Sequence, residues 1–432
     1  MPRLPRFLFQ FFYPGIKLKR WLFLLLFSAV VFASGTGGFL GRTFANRSFR
    51  VAPLVKVEKK VRGYFKRLRN IDLWFVILGG IGMLFAVRRG YYAILAVYFP
   101  NREKQVLRIA YERVRRKRGP RVVAIGGGTG LPTLLTGLKE YSENLTAVVT
   151  VADDGGSSGR LRRQFGILPP GDMRNCLVAL ADAEPLMSKL FQHRFSGRGG
   201  LGGHTFGNLF LTALAEVSGD FSKALAESSR VLAVRGRVLP VTDDLVMLAA
   251  KLVNGRTVRG ESRIRKAGSA VAEVHLIPAR PKANVEALRA IAKADIIVLG
   301  PGSLYTSIIP NLLVPGVRDA IAAARAARIY VSNIMTEPGE TDNMTAPDHL
   351  ERVNAHLGAG HVDAVVLNVE DPPPDKLERY RKENAILVEN REERLRSMGA
   401  ALIRARLLAE DTIYIRHDSA KLARAIIRYA VI

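Results

Sequence analysis

The stretch Arg121-Val-Val-Ala-Ile-Gly-Gly-Gly-Thr-Gly-Leu-Pro132 decides the fold. Arg121–Ile125 is short, β-branched and apolar, which predicts a buried strand. It runs directly into Gly126-Gly127-Gly128-Thr129-Gly130 and then into a helical pattern over Leu131–Lys139. A strand, a glycine loop and a helix in that order point backbone N–H groups and a helix N-terminus at an anion. Glycine suits such a loop because a Cβ would hold a phosphate away. The loop is not a Walker A motif, since no Gly-Lys-Ser/Thr follows, and Leu131 stands where GxGxxG would need its third glycine. A tight turn without a ligand would use the same glycines, so the reading rests on the loops that follow.

The next apolar run, Leu145–Val151, leads into Ala152-Asp153-Asp154-Gly155-Gly156-Ser157-Ser158-Gly159-Arg160. In a doubly wound sheet the carboxyl end of this strand lies beside the first glycine loop, where a carboxylate can take a ribose hydroxyl or a metal such as Mg²⁺. An Asp-Gly turn with solvated acids is the alternative, and Arg160, Arg162 and Arg163 fit phosphate contacts or a solvated helix face equally. Pro169-Pro170-Gly171-Asp172 opens a further helix through about Ala183, with Asp172 as its expected N-cap and Arg174 and Asn175 in its first turn. Gly202-Gly203-His204-Thr205-Phe206-Gly207-Asn208 starts another. Asp295–Leu299 is a buried strand feeding Gly300-Pro301-Gly302-Ser303-Leu304-Tyr305-Thr306-Ser307, and Arg328–Asn333 is a strand followed by Met335-Thr336-Glu337-Pro338-Gly339-Glu340-Thr341. Several strand ends thus present Gly, Asp, Asn, Ser and Thr, and loops on one face of a parallel sheet converge on one cleft. The expected class is α/β, a Rossmann-like, doubly wound, mostly parallel sheet over residues 121–432. The seven histidines are scattered without zinc-ligand spacing, and there is no GxSxG elbow.

The net charge of +27 would ordinarily suggest nucleic acid. Its distribution excludes that class. Residues 1–121 hold 26 Lys+Arg against four acids, a surplus of +22, and the remainder carries only +5. The basic residues flank apolar runs, the pattern that attracts anionic lipid head groups. The apolar runs are 21–41 and 73–99. Trp21–Gly41 is 21 residues without a charge, roughly 30 Å as a helix, and Leu73–Val87 is 15 uncharged residues ending at Arg88-Arg89. Trp21, Trp74, Tyr91 and Tyr92 sit near the ends of these runs, as interfacial aromatics do. Residues 1–100 therefore read as a membrane hairpin, joined by a loop over Arg42–Asn70, and residues 101–120 as a basic juxtamembrane helix and linker. That loop is itself basic, which the positive-inside rule disfavours outside; one spanning helix and one interfacial helix is the alternative. The single cysteine, Cys176, excludes an internal disulfide and fits a reducing compartment.

GGGTGLP (126–132), TVADDGGSSGRLR (150–162), PPGDMRN (169–175), LFQHRF (190–195), GGHTFGN (202–208), ADIIVLGPGSLYTSIIPNLLVPG (294–316) and NIMTEPGETD (333–342) together resemble the YvcK branch of the CofD-like superfamily, over about 121–420. The N-terminal hairpin lies outside the family's common core and resembles that of membrane-anchored versions. The resemblance implies a Rossmann-like core with a nucleotide pocket. In the CofD branch that pocket carries out a metal-dependent lactyl-phosphate transfer to a deazaflavin. YvcK-like proteins are gluconeogenesis factors that support cell shape and wall synthesis and bind UDP-sugars such as UDP-N-acetylglucosamine, with no established reaction. By the same resemblance, Tyr380 in Leu-Glu-Arg-Tyr and Arg416 in Tyr-Ile-Arg-His-Asp look like UDP-sugar contacts, and Ser419 lies where some relatives are phosphorylated. A tyrosine can stack on uracil and an arginine can hold a diphosphate through two N–H bonds.

Two functions follow as expectations. One is a UDP-sugar-binding regulatory factor at the bacterial cytoplasmic membrane, its main domain in the cytoplasm, acting as a homo-oligomer on wall-synthesis proteins. The other is a transferase using Mg²⁺ at Asp153 and Asp154 against a nucleotide diphosphate. A dehydrogenase is disfavoured by the glycine pattern and by the lack of a placed proton donor.

Overall fold

The computed structural model describes residues 18–48, 55–98, 114–182, 185–197, 199–358, 361–410 and 412–431. The chain divides into two compact units, 1–113 and 114–432.

In the first unit, helices Leu18–Ser48 and Val55–Tyr98 pack on each other. Arg20–Leu40 (21 residues, mean hydropathy 1.9) and Ile71–Ala93 (23 residues, mean hydropathy 1.8) are each long and apolar enough to cross a membrane. Small residues let the two backbones approach. A Cβ on Gly79 would lie 2.6 Å from the Phe32 nitrogen, and one on Gly35 would lie 2.8 Å from the Val76 nitrogen. Arg89 lies over the Trp21 ring at 5.7 Å and over Phe85 at 5.5 Å, so its charge is met by ring faces at the end of the apolar stretch. The expected loop over Arg42–Asn70 needs correction. Residues 42–48 and 55–70 continue the two helices, because Lys, Arg and Glu are good helix formers once a packed helix has nucleated. Likewise the second apolar stretch is longer than the 15 uncharged residues, since Arg88 and Arg89 lie within the helix rather than after it.

The second unit is built on a seven-stranded sheet in the order β10-β9-β8-β7-β1-β2-β3, every pair parallel. Its strands are β1 (Val122–Gly126), β2 (Leu145–Val149), β3 (Arg237–Pro240), β7 (Ile296–Leu299), β8 (Ala327–Val331), β9 (Ala364–Asn368) and β10 (Ala401–Ala405). β1, β2 and β7 are buried along their whole length, which is why they read as unbroken apolar runs rather than alternating ones. Helix Gly130–Leu138 covers one face with Leu131, Leu134, Leu135 and Leu138, a single stripe at helical spacing, each worth about 1.5–3 kcal/mol of burial. The last helix, Ser419–Val431, lies across it. A Cβ on Gly137 would sit 1.9 Å from the Ser419 carbonyl oxygen.

From β1 the chain moves outward through β2 and β3, then returns to lay β7 on the other side of β1. The sheet's switch point is therefore β1/β7, the position where ligands enter such folds. At the opposite ends of the strands, Arg121 clasps Asp295 (2.5 and 3.1 Å) and Arg328 clasps Asp363 (2.9 and 3.0 Å), pinning β1 to β7 and β8 to β9. Between β3 and β7 lies an insert that the sequence did not announce. It is an antiparallel sheet in the order β5-β4-β6, with β4 Met247–Leu252, β5 Thr257–Arg259 and β6 Val271–Ile277, plus a short helix Glu261–Ile264.

Residues 114–120 belong to this unit: Asn144 donates to the carbonyls of Lys117 (3.0 Å) and Gly119 (2.8 Å), and Ser142 donates to that of Pro120 (2.7 Å). Of the juxtamembrane helix and linker expected over 101–120, residues 101–113 lie outside the described residues and 114–117 are helical.

Candidate functional site

Three cavities open at the carboxyl ends of the central strands, and Thr129 lines all three. The first, about 320 Å³, lies over the switch point, lined by Gly128, Gly130, Gly302, Ser303, Asn333, Glu337, Tyr380, Arg416 and His417 among others. The second, about 390 Å³, is lined by Asp153, Asp172, Asn175, Glu261, Arg265, Lys266 and Thr306. The third, about 750 Å³, runs along helix Gly130–Leu138 on the side of helices Pro170–Leu180 and Pro185–Gln192.

Thr129 is the N-cap of helix Gly130–Leu138 and its side chain makes no capping bond, leaving that helix end open to a ligand. The glycines around it serve the loops as much as any ligand. A Cβ on Gly130 would lie 2.3 Å from the Pro301 carbonyl oxygen, and one on Gly127 would lie 2.6 Å from Thr150 Cγ2. Gly128 has φ +62°, a left-handed backbone, and its N–H donates to Asp172 Oδ2 at 2.7 Å.

That bond corrects the expected role of Asp172. The helix is capped at Pro169, and Asp172, inside its first turn, reaches across to hold the first glycine loop. Burial pushes its carboxyl up to about 6; the Gly128 N–H opposes the shift and the neighbouring Asp153 adds to it. The adjacent acids divide their work. Asp153 accepts from the Gly155 N–H (2.9 Å) and lines the second cavity, whereas Asp154 accepts from the Ser262 N–H (2.9 Å) and packs on Gly260, fixing the insert. Among the described residues no three His, Cys, Asp or Glu side chains form a metal-holding set. Asp153 and Asp172 are the carboxylates that a hydrated Mg²⁺ carried in by a diphosphate would meet, completing its shell with water and phosphate oxygens.

On the β7 and β8 side, Asn333 clamps Gly302 in both directions, donating to its carbonyl at 3.0 Å and accepting from its N–H at 3.4 Å. Ser303 donates to Glu337 in a short bond, and Thr306 donates to Glu340 at 3.0 Å. Glu340 is buried and Glu337 half-buried. Burial raises both, Glu340 to about 8, where Glu337 adds to the shift and Arg265 opposes it. Glu261 is raised to about 7, first by burial, with Arg265 opposing. Arg265 is the cation that answers these acids. It pairs closely with Glu261 and lies 3.6 Å from Glu340, and it lines both the first and the second cavity.

At the mouth of the first cavity Tyr380 is half-buried on a small apolar cluster of Ile334, Met335, Leu408 and Ile415, and donates to the Ile415 carbonyl at 3.4 Å. Arg416 stands beside it over the Tyr414 ring at 5.2 Å. His417, buried behind it, has Nε2 without a partner, and burial drops its pKa to about 4. A flat ring on an apolar seat, a free guanidinium and an open helix end therefore share one opening.

Nine of the expected residues do not line these cavities. Gly126, Gly127 and Gly300 support the loops; Asp154 holds the insert; Ser158 packs under Gly171. Tyr305 is 2% exposed and faces the core. Ser157, His204 and Asn208 form a buried chain behind the cleft. Asn208 donates to Ser157 Oγ (3.0 Å), Ser157 Oγ and His204 Nδ1 share a hydrogen bond (2.9 Å), and Arg174 donates to Asn208 Oδ1 (3.0 Å). Arg265, Glu261, Lys266 and His417 were missed. Ser-Arg-Ile-Arg-Lys over 262–266 carries no glycine or turn signal and reads as a solvated basic run.

The profile of the 2-phospho-L-lactate transferase CofD family matches residues 122–408, which contain every strand of the main sheet. The chain belongs to the CofD family. A gluconeogenesis factor from Bacillus subtilis is 46% identical over 308 residues, covering 71% of this CofD-family chain and 97% of its own length. A relative from Nostoc sp. is 44% identical over 429 residues, covering 98% of this chain and 92% of its own, so its similarity extends through the helical pair. A crystal structure of a UPF0052 family member from Bacillus halodurans superposes with a TM-score of 0.69 at 47% identity, covering 72% of this chain and 99% of that one. A protein made of the second unit's fold alone is thus a folded molecule.

Proposed function

We propose that this CofD-family protein binds a nucleoside-diphosphate sugar of the UDP-N-acetylglucosamine type and works as a regulatory gluconeogenesis factor at the bacterial cytoplasmic membrane. The observation that carries this reading is the meeting of the cavities at Thr129, with Tyr380 and Arg416 on one side and Asp153 and Asp172 on the other. Uracil would lie on the Tyr380 ring. The diphosphate would take the N–H groups of the helix end and the Arg416 guanidinium. Sugar hydroxyls would donate to the carboxylates of the second cavity. Two apolar helices would hold the unit at the membrane, in the cytoplasm, within reach of wall-synthesis proteins and of a second copy of the chain.

Calorimetry with UDP-N-acetylglucosamine tests the reading. Tyr380→Ala and Arg416→Ala should each weaken binding about tenfold, the value of one good stacking or charge-assisted contact, without unfolding the domain. Absence of saturable binding at about 1 mM ligand, a free energy that a few hydrogen bonds already supply, would sink it.

A transferase is the second reading, favoured by Asp153 and Asp172 facing one cavity beside the expected diphosphate position. It requires turnover of the nucleotide sugar that disappears in Asp153→Asn. Asp154→Asn is the less informative variant, because that side chain is bound to the Ser262 backbone.

A further inference from the structure

The third cavity has a different chemistry from the other two. Lys139, Arg174, Arg194 and Arg416 line it, and among the described residues none that lines it is acidic. Each cation comes from a separate element, so their approach is made by the fold and not by a run of basic sequence. Lys139 ends helix Gly130–Leu138, and its ammonium donates to the Ala181 carbonyl at 2.9 Å. Burial lowers its pKa, and Asp182, which opposes that shift, is itself paired with Arg235 at 2.6 Å. Arg194 donates to the Gly203 carbonyl at 2.6 Å and is otherwise exposed.

Arg174 is the informative residue. It is 8% exposed, held by Thr205, Asn208 and Asn175, and its Nε has no partner. A charge this deep costs several kcal/mol unless something answers it, and Asp172 and Asp153 are nearby but bond elsewhere. Arg194 presses on it with like charge. A concave surface that gathers four cations, one of them buried and pressed by a like charge, is arranged for an anion.

We infer that this groove is a second anion site, taking a small phosphorylated molecule, distinct from the nucleotide cleft and sharing with it Thr129, Thr133, Asn175 and Arg416. Its volume of about 750 Å³ exceeds what a bare phosphate fills, and Val178 and Pro185 would cover an organic portion. The inference does not depend on the identity of the nucleotide ligand, since three of its four cations lie outside the first cavity.

The test uses inorganic phosphate as probe, with ³¹P line broadening titrated on the detergent-solubilised full chain in phosphate-free buffer. Saturable broadening is expected, with affinity about tenfold lower in Arg194→Gln and in Lys139→Gln, one charge-assisted contact each. Arg194→Lys, which restores the charge that Gln removes, should recover part of the loss. Saturating UDP-N-acetylglucosamine should leave the phosphate signal in place. Thermal melts identify a variant that has unfolded, and the charge-preserving Lys139→Arg then carries the comparison through retained binding. Phosphate binding unchanged in both Gln variants, phosphate displaced fully by the nucleotide sugar, or no saturable binding at about 10 mM would each overturn the inference.

Discussion

Gly130→Ala is the sharpest structural perturbation that this cleft offers. An added Cβ would sit 2.3 Å from the Pro301 carbonyl oxygen, 2.6 Å from its carbon and 3.0 Å from the Gly302 nitrogen. All three are backbone atoms, so no side chain can swing aside. Relief requires the β1 and β7 loops to part by about 1 Å, and overpacking of that kind costs about 1–3 kcal/mol. The movement also carries Gly302 and Ser303, which line the first cavity, out of register with Thr129. Urea unfolding of residues 114–432 should show the midpoint falling with an unchanged slope. Nucleotide-sugar affinity should fall by about tenfold, the loss of one charge-assisted hydrogen bond. Gly200→Ala is the control; nothing lies within 4 Å of its Cβ position, and its stability should stay within about 0.5 kcal/mol of wild type. A Gly130→Ala protein with wild-type stability and affinity would refute the argument that this glycine exists for loop contact.

Further outcomes follow from the buried charges and the packed backbones. Arg265→Leu should lower stability near pH 8, because Glu261 and Glu340 lose their cation, and less near pH 5, where both take protons; chemical denaturation at the two values measures it. In the unaltered protein Glu340 has a raised folded pKa, about 8 against 4.5, so it binds more protons folded than unfolded. Stability should decline as pH rises through that window, and Glu340→Gln should flatten the slope. Asn144→Ala removes two bonds to the linker carbonyls and should lower stability by about 1–2 kcal/mol, with new protease cleavage near 117–119 as a direct readout. Gly79→Leu should separate helices Leu18–Ser48 and Val55–Tyr98, lowering the yield of a disulfide engineered between them, since its Cβ would meet the Phe32 backbone at 2.6–2.8 Å.

The main sheet was legible because parallel strands buried on both faces read as uninterrupted apolar runs: Val122–Ile125, Leu145–Val149 and Ile296–Leu299 each announce themselves, and each ends in a glycine or acidic loop. The convergence of those loops was legible for the same reason, since one face of such a sheet collects every strand end. What sequence could not convey was direction. Asp153 and Asp154 are adjacent, yet successive residues of an extended segment point apart, and one enters the cavity while the other fixes the insert. Asp172 looked like a cap because caps and cross-loop acceptors use the same side chain. Arg265 and Glu261 arrive from an insert whose short strands carry weak periodicity, so nothing local marked them as neighbours of Glu340, 75 residues on in the chain. In the N-terminal unit the charge-flanked runs were plain, but Arg42–Asn70 was read as a loop because polarity resembles irregularity when a helix continues past its apolar stretch.

The central claim is that one opening at the switch point takes a nucleotide diphosphate. It is tested most directly by a crystal of residues 114–432 soaked with UDP-N-acetylglucosamine. The account predicts density with the base against Tyr380, the diphosphate between Thr129, Gly130 and Arg416, and the sugar toward Asp153 and Asp172. An empty cleft at full soak, or density seated away from Thr129, would contradict it.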